Sequence, residues 1–144
     1  MLVTAHGING QYGDCLRACV SSLFECNPEY VPHFSHDGSD EYISRLNHWL
    51  EDYNCWFIEM NIDGSRGAFD QWLSKIPGEE PLFMVGVPSK IHKCVGHWCI
   101  AKFTDNKFTI IHDPSPCRQA MNYTDKDIES VGLFIQKHQQ DLIL

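Results

Sequence analysis

Apolar residues first recur at helical spacing from position 15. In the run Cys15-Leu16-Arg17-Ala18-Cys19-Val20-Ser21-Ser22-Leu23-Phe24, the sets Cys15, Cys19, Leu23 and Leu16, Val20, Phe24 each repeat every fourth residue. That period predicts a buried helix starting at about Cys15, with Asp14 as its N-cap. The residues before it, 1–13, are Gly-rich and irregular. Tyr42, Leu46, Trp49, Leu50 and Tyr53 fall on one face of a second helix over 39–53. Residues 55–60 read as a short strand. A third helix is predicted over 67–76, with Phe69, Trp72, Leu73 and Ile76 inward and Gly78 just past its end. Trp49, Trp56 and Trp72 read as core residues.

Beyond position 80 the pattern changes to short apolar runs. Pro81 to Val87 predicts a strand and 88–95 a polar loop. Residues 96–103 and 107–112 predict two strands around Thr104-Asp105-Asn106, whose Asp and Asn suit a hairpin turn. A further strand is expected at 131–136. Helices first and an antiparallel sheet afterwards make an α+β domain. No repeat or linker divides the chain, and 144 residues suit one domain spanning 1–144.

Charge and cysteine usage then narrow the function classes. The formal net charge is −8 and the few Lys and Arg residues are scattered, so no face is built to hold nucleic-acid phosphates. The 7 cysteines are odd in number, and most sit inside apolar stretches, as free thiols of a reducing compartment do. With no basic–apolar leader and no long apolar run, a cytoplasmic protein without a membrane partner is expected.

The candidate chemistry starts at Cys15. A thiolate in the first turn of a helix faces unpaired N–H groups and the positive end of the dipole, both of which favour the ionised nucleophile. His97 lies near the start of an apolar strand in Gly96-His97-Trp98-Cys99-Ile100-Ala101, where the preceding Gly lets another chain or a substrate approach closely. Asp113 ends the next strand in Ile110-Ile111-His112-Asp113-Pro114. A three-residue loop over 104–106, with Asn106 left-handed, pairs Phe103 with Lys107 and sets His97 opposite Asp113. Opposed residues share a face. The carboxylate could then hold one ring nitrogen and leave the other to the thiol. A two-residue loop instead puts Asp113 on the opposite face from His97. Strand alternation ranks His112 second as acid–base group. Cys94, Cys99, Cys117 and His92 share one stretch but contain no C-x-x-C pair, so no metal or other cofactor is expected. His33 and His36 read as solvated loop residues. Trp98, beside His97, could wall the cleft, although core is its simpler role.

These motifs carry a resemblance. Gly13-Asp14-Cys15-Leu16-Arg17-Ala18-Cys19 at a helix start, then Gly96-His97-Trp98, then His112-Asp113-Pro114 resembles the papain-like cysteine peptidases, in their order of nucleophile, histidine and acid. The Asp-Cys-x-x-x-Cys helix and late His-Asp-Pro resemble the C39-like peptidase branch, which includes the double-glycine leader peptidases. The Gly-Asp-Cys and Gly-His-Trp segments also resemble ovarian-tumour-type deubiquitinases. The Val-Pro-His-Phe segment after the first helix is similar to that of small papain-like proteins of bacteria and their phages. Leu16 departs from the Gly usual after the nucleophile in the first group, and Tyr12 from the Asp usual three residues before it in the second. The resemblance implies a papain-like fold and a Cys15–His97–Asp113 triad. Its oxyanion-hole amide would come from Gln11 or Asn9, its substrate cleft would run by Asp14 and Trp98, and its substrate would be a peptide or protein. Hydrolysis, acyl transfer on the same triad, and a non-catalytic protein-binding module all remain open at this point.

Overall fold

A computed structural model describes residues 2, 13–62, 66–75, 81–89, 96–115, 118 and 120–137. Asn9, Gln11, His92, Cys94 and Cys117 lie outside the described residues. Helix α1 (Cys15–Leu23) comes first, followed by a 3-10 turn at Pro28–Tyr30 and helix α2 (Tyr42–Leu50). Strand β1 (Cys55–Asn61), helix α3 (Arg66–Leu73), and strands β2 (Leu82–Pro88), β3 (Gly96–Thr104), β4 (Lys107–His112) and β5 (Ser130–Gln136) complete the order. The strands form one 5-stranded sheet in the order β1-β5-β2-β3-β4, and every neighbouring pair is antiparallel. The described elements form an α+β arrangement, with the helix of Cys15 leading and the sheet built mainly from the later chain.

Alternation along the strands divides the apolar side chains into two clusters. Phe83, Val85 and Val87 of β2 join Cys99, Ala101 and Phe103 of β3, together with Leu73 of α3, in the first. Met84, Trp98 and Ile100, pointing the other way, join Leu16, Cys19 and Val20 of α1 and Leu46 and Leu50 of α2 in the second. Each fully buried side chain of this kind contributes about 1.5–3 kcal/mol of transfer free energy. The apolar stripe of α1 is therefore what seats the helix, and its first residue with it.

Three expectations change in the structure. Helix α2 is shorter than 39–53: a single 3-10 turn at Glu51–Tyr53 follows it, and Asn54 at φ 55 ends the run in the left-handed region. Trp56 and Trp72 are not core residues. They are 52% and 50% exposed, and Trp56 alternates with inward Cys55 and Phe57, leaving its ring under the Lys137 ammonium. The loop between β3 and β4 has two residues rather than three, since Thr104 pairs with Lys107 and Asp105 and Asn106 both adopt positive φ. That is the backbone of a type I′ turn, whose twist matches the strands it joins.

Candidate active site

A two-residue turn by itself would send Asp113 to the wrong face, but the ladder does not run straight. The register shifts between Ile100 and Ala101: Ala101 pairs with Ile110, whereas Ile100 pairs with His112. Ile111 is the extra residue of a β-bulge, and a bulge reverses the alternation beyond it. One step past Ile100↔His112 lies Asp113 against Cys99, two residues from His97 and on the same face. Turn length and bulge thus offset each other, and the carboxylate reaches the histidine.

The contact itself is short and buried. His97 Nε2 lies 2.6 Å from Asp113 Oδ1, with the two residues 7% and 2% exposed. The Ser115 N–H donates to the same carboxylate oxygen at 2.8 Å, and the Ala120 N–H donates to Oδ2 at 2.6 Å. Burial pushes the Asp113 pKa up, but the donors from His97, Ala120 and Ser115 outweigh it and hold the carboxyl below its ordinary value. Asp113 is therefore an oriented anion rather than a neutral acid.

His97 is held from two sides. Burial lowers its pKa, while hydrogen bonding to Asp113, then to Cys15 and Cys99, raises it, with a net rise to about 12. With Nε2 turned to Asp113, Nδ1 is the ring nitrogen left to exchange a proton with a thiol. Cys15 opens α1 and is partly exposed, whereas Cys19 and Cys99 are fully buried. Burial drives both of those thiols upward, although His97 partly offsets this for Cys99. Among the described cysteines, Cys15 alone combines partial solvent access with an electrostatic influence on the His97 imidazole. The site lies where the two clusters meet, since Cys99 belongs to one and Cys15 packs against the other.

The surrounding residues fall into place as follows. Asp14 occupies the N-cap position and its carbonyl accepts from Ala18 N–H at 2.9 Å, but its side chain makes no capping bond. The carboxylate instead lies 3.9 Å from Arg17, whose guanidinium donates to the Pro28 carbonyl and ties the first turn of α1 to the following loop. Trp98 is 9% exposed and packs edge-on against Phe57 in the second cluster, so it is a core residue. Gly96 is exposed and an added Cβ there would meet nothing within 4 Å, which leaves open space beside His97. Cys99 was weighed in the sequence only as a metal ligand beside Cys94, Cys117 and His92, and its place next to His97 and Asp113 was missed. Its signal was available, because positions 97 and 99 of one strand share a face. No family model matches this chain, and neither a curated protein nor a solved structure matches it.

Proposed function

We propose that the chain is a papain-like cysteine hydrolase in which Cys15 is the nucleophile, His97 its acid–base partner and Asp113 the group that orients the imidazole. One observation carries the reading: a single buried imidazole bonds a fixed carboxylate through Nε2, and the accessible thiol at the start of α1 lies near enough to help hold that imidazole charged. Burying a charged pair costs desolvation free energy, and a catalytic role for the pair accounts for its retention. In the reaction the Cys15 sulfur attacks the acyl carbon of an amide, ester or thioester. Its C–S bond forms as the carbonyl electrons move to oxygen. The oxyanion then collapses, and the imidazolium gives its proton to the departing amine, alcohol or thiol. Water, deprotonated by the now neutral His97, releases the acyl group and restores the thiol. The Cys15 backbone N–H, unpaired at the helix start, is one donor for the oxyanion. Gln11 or Asn9 is the proposed second.

The substrate class proposed is a peptide or protein acyl donor, including an isopeptide of the kind deubiquitinases cleave. Acyl transfer to an amine needs only that an amine replace water in the second half. The test is alkylation of the native protein by a limiting thiol reagent at neutral pH, with the modified cysteine mapped by mass spectrometry. Modification concentrated on Cys15 is the expected result. Equal, slow modification of Cys15 and Cys26 would count against the proposal, because Cys26 is similarly accessible but burial has raised its thiol pKa.

A further inference from the structure

His97, Cys99 and Asp113 converge in a way that the proposed hydrolysis does not require. One donor atom from each lies within 4.8 Å of the other two, and all three residues are buried. We propose that these side chains form a binding site for a thiophilic divalent cation, with Zn2+ the ion their donor types match, and that an ion bound there switches Cys15 off. The second half rests on the hydrolase reading; the first half stands without it.

An imidazole, a thiolate and a carboxylate are the three donor types zinc accepts, and three protein ligands leave a fourth tetrahedral position open. Charge favours the same conclusion. Neutral His97 with one thiolate and one carboxylate carries two negative charges, which a divalent cation cancels, so the buried complex holds no uncompensated charge. The Ser115 and Ala120 N–H groups already fix Asp113, as outer-shell donors fix metal-bound carboxylates. At 2.6 Å, Nε2 and Oδ1 now share a proton. Zinc ligands at about 2.1 Å in a tetrahedron stand about 3.4 Å apart, so the ion takes the place of that proton and the imidazole turns slightly outward. Cys99 and His97 bind deprotonated and release their protons. A neutral ring bound through Nε2 carries its hydrogen on Nδ1. It can no longer accept a proton from Cys15, and the thiol loses its base.

The test uses Zn2+ itself, competed against a chromophoric chelator, on the native chain and on Cys15→Ser, which separates binding from nucleophile chemistry. Cd2+ on the same two proteins reports thiolate ligation by its sulfur-to-metal charge-transfer absorption. We expect one ion per chain and a charge-transfer band in both proteins. Affinity should be at least about 10-fold weaker in Cys99→Ser and His97→Ala. Zinc should also slow Cys15 alkylation in the native chain about as much as His97→Ala does. Undiminished binding in both Cys99→Ser and His97→Ala overturns the proposal, as does absence of binding at micromolar zinc. If Cys99→Ser fails to fold by circular dichroism, the band in Cys15→Ser and its loss in His97→Ala decide the matter. Zinc binding with an inert Cys15 would sink the hydrolase alone; a reactive Cys15 that zinc neither binds near nor protects would sink the cation site alone.

Discussion

The His97–Asp113 contact ties two titrations to the folded state with opposite signs. Asp113 is held below its ordinary 3.8, so its contribution is present above that pH and disappears as the pH falls through the lower folded value. His97 is raised from 6.5 to about 12, so its contribution is complete below 6.5 and disappears as the pH climbs toward about 12. The stability difference between the native chain and Asp113→Asn should therefore be widest between those two ordinary values, 3.8 and 6.5, and should shrink on either side. Urea unfolding across pH measures it; a difference that ignores pH would show that the pair is not ionised. In the alkylation assay, His97→Ala should slow Cys15 by several orders of magnitude. Asp113→Asn should slow it by about 100-fold, because a hydrogen-bond partner remains without the charge that fixes the tautomer. His112→Ala should keep most of the rate, since His112 pairs with Ile100 while Asp113 reaches the imidazole. Severe loss in His112→Ala with a mild Asp113→Asn would reverse these roles.

At the level of elements, the hairpin of β3 and β4 shows what could be read from residue order and what could not. The apolar runs on either side of Asp105-Asn106 give both strands almost to the residue. Turn type is less legible, because Asn accepts the left-handed conformation in two- and three-residue loops alike. The bulge at Ile111 is invisible in the sequence: Ile110-Ile111-His112 reads as an unbroken strand, and only the packing of both isoleucines distinguishes them. Ile110 is buried in the first cluster and Ile111 packs against the second. The legible strands and the illegible register together put Asp113 beside His97, as the structure has it, for an incorrect loop length. Asn106, at φ 61 in the second turn position, stands where a type I′ turn favours Gly. Asn106→Gly should therefore stabilise the protein by about 0.5 kcal/mol, read as a higher thermal midpoint without change in Cys15 alkylation. A lower midpoint would contradict the type I′ assignment.

Across the whole molecule, the site depends on a sheet whose faces are both filled, and its tolerance of added atoms should follow that. A Cβ at Gly132 would lie 2.5 and 2.7 Å from the buried Phe57 ring and 3.3 Å from Met84 Cβ, with no flexible side-chain end to yield. Gly132→Ala should cost about 1–3 kcal/mol. Gly96→Ala meets open space and should stay within about 0.5 kcal/mol of the native chain in the same denaturation experiment. Equal effects at both positions would contradict the packing of β1 and β2 around β5. Composition and periodicity were enough for the α+β class and for helix α1 at Cys15. The outward Trp56 and Trp72 escaped them, because aromatic residues mark a strand or helix without saying which face is covered. The central claim is that Cys15 forms an acyl-enzyme with help from His97. Intact-mass analysis after rapid quenching with an activated ester or thioester tests it most directly. The predicted result is one acyl group per chain, located on Cys15, absent in Cys15→Ala and formed far more slowly in His97→Ala; acylation of a different residue, or of Cys15 at the same rate without His97, would contradict the account.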